Sequence, residues 1–162
     1  MSDHYIGIVS DSHGQLASLK AMVRNAPDVI AWLHCGDIEK DGPALEKLSQ
    51  KPVIAVRGNN DYGMPKYPME QRITISGIEI YMIHGHQWYG LQREQELLFR
   101  GHQYKADLVL FGHTHVPYKR IDKAVTIVNP GSISRPRDGL NGSYAIATID
   151  KEKLMNITLC RI

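Results

Sequence analysis

The chain has 162 residues, 43% of them hydrophobic and 22% charged, with a formal charge of +2. That balance fits one globular domain over 1–162 with a real core and excludes a disordered polyelectrolyte; charge so small and scattered does not indicate nucleic acid as a partner. No apolar run reaches the length of a membrane span, and the polar start Met1-Ser2-Asp3-His4 runs directly into a strand, so neither a membrane nor a secretory leader is expected. Cys35 and Cys160 are far apart in strand-like contexts. They are expected as two buried thiols in a reducing cytoplasm rather than as a disulfide. Homo-oligomerisation is left open by composition. Eight histidines make their placement informative.

In chain order, the apolar run Tyr5-Ile6-Gly7-Ile8-Val9 predicts a strand over 4–10, and the spacing of Leu16, Leu19, Met22 and Val23 predicts a helix over 15–25. Between them lies Asp11-Ser12-His13. Taken alone, this triplet reads more readily as a helix cap than as a pair of metal ligands. A second strand is expected over 28–34, leading to Cys35-Gly36-Asp37. Asp41-Gly42-Pro43 opens a short helix, with Pro43 suited to the first turn. A third strand over 52–57 ends at Gly58-Asn59-Asn60-Asp61. Strands alternating with helices across short loops imply parallel strands with right-handed crossovers.

The second half changes character. After a loop at 64–68, strands over 71–75 and 78–83 form a hairpin turning at Ser76-Gly77 and ending at His84-Gly85-His86. A helix is expected over 89–103, with Leu91, Leu97, Leu98 and Phe99 inward and Gln92–Glu96 as a solvated face. A strand over 107–111 ends at Gly112-His113-Thr114-His115. Further strands follow at about 116–121, 124–128, 143–149 and 153–160. This mixture predicts two sheets packed on each other with helices outside, an α/β sandwich.

The strand ends carry the chemistry. Asp11, His13, Asp37, Asn59, His84, His113 and His115 all lie just after apolar runs, mostly beside glycine. Each has a bland reading as a cap, a turn residue or a core histidine. Seven such accidents together, using five of the eight histidines if His86 is counted, are not a reasonable account. If the strands are neighbours pointing one way, the side chains converge on a metal site. Imidazole, carboxylate and amide oxygen without thiolate suit borderline divalent ions. Seven ligands suit two ions, with one carboxylate bridging. Two ions about 3.5–4 Å apart lower the pKa of a bridging water and clamp a phosphoryl group for in-line displacement.

Asp11-Ser12-His13, Gly36-Asp37, Gly58-Asn59-Asn60-Asp61, His84-Gly85-His86 and Gly112-His113-Thr114-His115 resemble, in order and rough spacing, the five blocks of the calcineurin-like metallophosphoesterases. Asn129-Pro130-Gly131-Ser132 resembles a further block of the short YfcE- and Vps29-like phosphodiesterase subgroup. The resemblance covers about residues 5–150. It implies a four-layer α/β/β/α sandwich of two mixed sheets, with a dimetal site at the carboxyl ends of the strands. Asp11, His13, Asp37 and His115 would hold one ion. Asp37, Asn59, His84 and His113 would hold the other, with Asp37 bridging. Mn²⁺ is the expected ion, with Ni²⁺, Zn²⁺ and Fe²⁺ also suited. The implied activity is hydrolysis of a small phosphodiester by a metal-bridging hydroxide. The alternatives are a Vps29-like interaction scaffold and a phosphomonoesterase.

The chain departs from the wider family at Asn60, where many members have a histidine that assists the leaving group. Asparagine donates a hydrogen bond but supplies no proton, which weighs against monoesters with poor leaving groups. Asp61 is expected to orient a metal ligand. His86 reads equally as a substitute general acid and as support for its neighbours. Arg135 and Arg137 are of the type that grips phosphate bidentately, although loop arginines are also commonly just solvated. His34 is expected in a hydrogen-bonded core position, His102 on the surface near a helix end, and Trp32 and Trp88 in packing. Residues 64–68 are a candidate pocket wall.

Overall fold

In a computed structural model, which describes residues 3–63 and 66–162, two five-stranded sheets lie face to face. The first half contributes β1 (His4–Val9), α1 (Leu16–Asn25), β2 (Ala31–His34), α2 (Asp41–Ser49) and β3 (Val53–Ala55). The hairpin β4 (Glu70–Ile75) and β5 (Ile78–Ile83) follows, then α3 (Gly90–Gln103) and β6 (Leu108–Leu110). The chain ends with β7 (Pro117–Asp122), β8 (Val125–Pro130), β9 (Ser143–Asp150) and β10 (Lys153–Arg161).

The sheet orders are β10-β9-β1-β2-β3 and β4-β5-β6-β8-β7. β1, β2 and β3 run parallel, as the alternation of strand and helix predicts, and so do β5, β6 and β8. The antiparallel strands β9 with β10, β4 and β7 complete the edges, so both sheets are mixed.

Side-chain alternation builds three apolar layers. Ile6, Ile8 and Leu33 of one sheet meet Ile80, Met82, Leu108 and Leu110 of the other between the sheets. Val9, Trp32 and Ile146 face outward, where Leu19, Met22 and Leu45 of α1 and α2 cover them. Tyr81, Ile83, Val109 and Ile127 face the opposite way, against Leu97 of α3. The result is the expected α/β/β/α sandwich. Gly7 inside β1 has a steric reason: a Cβ there would stand 2.3 Å from the Trp32 ring.

The inward face of α3 differs from the expectation. Leu97 and Gly101 are buried, but Leu91 is 77% and Phe99 64% exposed. Gly101 lets the helix approach the sheet so closely that a Cβ would lie 2.9 Å from Val109 and Val125. That contact turns the helix about the 97–101 stripe and leaves its larger apolar residues at 91 and 99 outside. Arg93 does not belong to a solvated face either. Its Nε and Nη2 donate to the carbonyls of Gly85 (2.7 Å) and Trp88 (2.6 Å), bracing the loop after β5. Cys35 is buried and Cys160 half-buried, and both are free thiols. Leu16, expected on the packed side of α1, is exposed. Of the predicted loop at 64–68, Met64 and Pro65 lie outside the described residues. Among the described residues no helix is long and apolar enough to cross a membrane.

Candidate metal centre

The parallel strands of both sheets deliver their carboxyl ends to one edge of the sandwich, where backbone bonds zip the following loops together. The Asp11 N–H donates to the Gly36 carbonyl (3.0 Å), and the Gly112 N–H to the His84 carbonyl (2.9 Å). The loops lie so close that glycine is required. At Gly36, with φ +107°, a Cβ would also stand 2.4 Å from His84 Nδ1. At Gly58 it would meet Asp37 Oδ1 at 2.1 Å, and at Gly112 Asp11 Oδ2 at 2.7 Å.

Asp11, His13, Asp37 and His115 are buried and offer donor atoms within 4.8 Å of one another. The imidazoles are set by their outer nitrogens. His115 Nδ1 lies 2.7 Å from the Arg135 carbonyl and His84 Nδ1 2.7 Å from the Cys35 carbonyl, so each donates there and turns Nε2 inward. His115 Nε2 lies 3.1 Å from Asp11 Oδ1 and 3.4 Å from His13 Nε2, while His13 Nδ1 faces Glu39 at 3.4 Å. Asp11 Oδ2 accepts from the Ser10 hydroxyl (2.5 Å) and the His113 N–H (3.1 Å), whereas Oδ1 is buried without a hydrogen-bond partner. Beside this group, Asn59 Oδ1 lies 3.1 Å from His84 Nε2 and 3.2 Å from His113 Nδ1. Asp37 Oδ2 stands between the two groups, 3.7 Å from His13 Nε2 and 3.5 Å from His84 Nε2. Thus all seven predicted ligands meet in one place.

Around the Asp11 and Asp37 carboxylates the field favours positive charge. Burial works against the Asp11 carboxylate, but His115, His84 and the Ser10 hydroxyl outweigh it and hold its pKa below the usual value. The Asp37 pKa is likewise lowered: burial opposes ionisation, and His84 and both amide donors of Asn60 overcome it. Burial disfavours charge on His84, yet Asp37, Asp11 and the Cys35 carbonyl raise its pKa. His113 is pushed down to about 4 by burial, His84 and Arg93. Inward-turned nitrogens 3.4 Å apart and an orphaned carboxylate oxygen are poor company for one another without a cation. With one among them they form a hard-to-borderline N/O donor set, so the residues present fit divalent metal.

Asn60 lies against Asp37. Its N–H donates to Oδ1 (2.9 Å) and its Nδ2 to Oδ2 (2.8 Å). Asp61 makes no hydrogen bond to a predicted ligand side chain among the described residues. It accepts from the N–H groups of Ile38 (3.2 Å), Glu39 (2.7 Å) and Gly58 (2.8 Å), tying the Asp37 loop to the Asn59 loop. The His86 ring is centred 5.4 Å from that of His84 and 6.2 Å from that of His113. Its Nδ1 is buried and unpartnered, and burial together with His84 lowers its pKa. His34 is wholly buried, with Nε2 2.9 Å from Ser12 Oγ and Nδ1 accepting from the Gly36 N–H (3.2 Å). His102 pairs at the surface with Asp122 (2.7 Å).

Several structural contributors escaped the sequence reading. The Ser132 hydroxyl donates to the Asp11 carbonyl (2.8 Å), and that of Ser134 lies 3.0 and 2.9 Å from the carbonyls of Asp11 and Ser12. The nearby Asn129-Pro130-Gly131-Ser132 block was the available signal. A cleft of about 330 Å³ opens over His13, Asp37 and His115 and is also lined by Asn60, Arg135 and Arg137. A second, of about 380 Å³, lies on the other side of Asn59, beside His86, Arg57 and Tyr62.

A two-sheet sandwich with a buried His/Asp cluster, flanked by the half-buried Asn59 and His113 at its strand ends, defines a protein built to hold divalent metal. The calcineurin-like phosphoesterase superfamily domain matches residues 5–152, and the chain belongs to that family. It is 33% identical to the probable metallophosphoesterase YsnB of Bacillus subtilis, over 90% of this chain and 84% of that protein. It is 28% identical to the phosphodiesterase YfcE of Escherichia coli K12, over 93% and 89% of the two chains. Among solved structures, a predicted phosphoesterase of Streptococcus pneumoniae superposes with a TM-score of 0.77 at 29% identity, covering 93% of this chain and 85% of that one. Vps29 of Chaetomium thermophilum shares the fold, with a TM-score of 0.74 at 16% identity over 98% and 93% of the two chains.

Proposed function

We propose that residues 1–162 act as one dimetal-dependent phosphodiesterase domain on a small phosphodiester. Asp11, His13, Asp37 and His115 bind one divalent ion; Asp37, Asn59, His84 and His113 bind a second, with Asp37 shared. Mn²⁺ suits this donor set, and Ni²⁺, Zn²⁺ and Fe²⁺ are compatible with it. The carrying observation is the meeting of Asp11, His13, Asp37 and His115 donors within 4.8 Å of one another at the unpartnered Asp11 Oδ1, with Asn59, His84 and His113 beside them. When bound, such ions make water acidic enough to ionise near neutral pH and offset charge on phosphoryl oxygens.

The chain's own residues position and preorganise. Ser10 and the His113 N–H fix the Asp11 carboxylate, and Asn60 fixes that of Asp37. The Cys35 and Arg135 carbonyls fix the tautomers of His84 and His115. Asn60 has no proton to give, which favours diesters over monoesters with poor leaving groups. His86 is the imidazole nearest the cluster that is free to serve a leaving oxygen. A cytoplasmic location fits two free thiols.

The shared fold with Vps29 favours a second reading, a non-catalytic scaffold. A scaffold has no need of seven convergent donors. With Mn²⁺ added, bis(p-nitrophenyl) phosphate should turn over faster than p-nitrophenyl phosphate, and Asp37→Ala should abolish both activities. Turnover of neither ester supports the scaffold. Faster monoester turnover supports a phosphomonoesterase, and a fully active Asp37→Ala refutes the mechanism.

A further inference from the structure

The loop that follows Ser132 is fastened to the metal centre from several sides. Besides the bonds of Ser132 and Ser134 to the Asp11 segment, the Arg135 N–H donates to Ser132 Oγ (2.8 Å). The Arg135 carbonyl receives His115 Nδ1 (2.7 Å), and the Arg137 N–H donates to the His115 carbonyl (3.1 Å). Pro136 between them locks its own φ and holds Arg135 extended. Two arginines are therefore carried on a rigid backbone at the rim of the 330 Å³ cleft, and both line it.

Neither arginine has a carboxylate within 4.0 Å among the described residues; Asp138, next along the chain, is taken by Arg161. Among the described residues the only acid lining the cleft is Asp37, whose two oxygens are held by Asn60. A guanidinium keeps its charge at any ordinary pH and offers a planar fork of donors matched to phosphate or carboxylate. Two exposed guanidiniums without carboxylate partners among the described residues make this rim a place where an anion can be gripped. The cleft of about 330 Å³ extends from the His13, Asp37 and His115 side chains to both arginines.

We propose that Arg135 and Arg137 form an anion subsite for a second negatively charged group of the substrate, a phosphate or carboxylate carried on the ester substituent that is not displaced. The preferred substrate is then a diester with charge beyond the scissile phosphate, of the pyrophosphate or phospho-carboxylate kind. This rests on the phosphodiesterase reading and narrows its substrate class.

The test uses three p-nitrophenyl diesters with one leaving group and a second substituent that is cationic (phosphorylcholine), neutral (ethyl) or anionic (2-carboxyethyl). In the full-length, metal-loaded protein kcat/KM should rise from cationic to neutral to anionic, with at least about tenfold between the last two. In Arg135→Gln/Arg137→Gln that preference should fall to within about twofold. The bonds that pin the loop use backbone atoms of these residues, so the fold survives the change. A wild-type ranking indifferent to charge, or one unchanged in the double variant, overturns the subsite. If no diester turns over, the phosphodiesterase reading fails, and calorimetry decides the subsite separately. Wild type should bind inorganic pyrophosphate about tenfold more tightly than inorganic phosphate, and the double variant should lose that preference; an equal preference in both proteins refutes the subsite.

Discussion

His34 links the two loops that carry Asp11 and Asp37, and its burial gives it a measurable signature. Its ring is fully buried between Ser12 Oγ and the Gly36 N–H, and burial pushes its pKa from 6.5 down to about 4 despite the pull of Asp11, Asp61 and Asp41. Because the folded protein holds this imidazole neutral, the unfolded chain takes up the proton first as pH falls. Stability is therefore intact above about pH 6.5 and is lost progressively down to about pH 4. The drop from 6.5 to about 4 corresponds to about 3 kcal/mol, at about 1.4 kcal/mol for each tenfold step in proton affinity. His34→Gln removes this titration. At pH 7.5 the variant should be less stable by about 2 kcal/mol, for the lost packing and hydrogen bonds. Urea midpoints in the presence of a chelator, so that metal release adds no proton linkage, should show the gap closing near about pH 5 and reversing to about 1 kcal/mol in the variant's favour by about pH 4. A gap that stays constant from pH 7.5 to pH 4 would refute the buried neutral imidazole.

Two further outcomes follow from the metal centre. Gly58→Ala should keep its far-UV circular dichroism while losing at least about a hundredfold in diesterase kcat/KM, because its Cβ would stand 2.1 Å from Asp37 Oδ1 and must displace that carboxylate; wild-type turnover would mean that Asp37 is not where the chemistry needs it. Mn²⁺ at about a hundred times its dissociation constant should stabilise the chelator-stripped protein by about 2.7 kcal/mol, a rise of roughly 5–10 °C in Tm. That rise should vanish in Asp11→Asn, and an equal rise in the variant would place the ion elsewhere.

The strand–helix alternation and the residues at the strand ends were legible because both depend on local pattern: apolar runs of strand length, and polar residues stopping them beside glycine. The inward face of α3 was not. Leu91 and Phe99 are the residues a hydrophobicity count selects, but the close approach permitted by Gly101 to Val109 and Val125 set the helix rotation. That decision belongs to a contact between distant segments, and no window of sequence contains it. Arg93 escaped for the same reason: its partners are carbonyls of the His84–His86 loop, fixed only once β5 and α3 are packed. The seven ligands were easier than their supports because each has a residue type suited to metal. Ser132, Ser134 and the Arg135 carbonyl act on Asp11 and His115 through ordinary groups that any loop could supply.

Position 60 joins the two halves of the functional argument. Asparagine there removes the proton donor that many family relatives of the resembling blocks carry, yet it is not an idle replacement. With N–H on one oxygen of Asp37 and Nδ2 on the other, it holds in a single orientation the carboxylate shared between the two ligand groups. The chain thus gains preorganisation of the Asp37 carboxylate at this position. Arg135 and Arg137 line the same cleft as Asn60, so on the phosphodiesterase reading substrate discrimination there would come from binding.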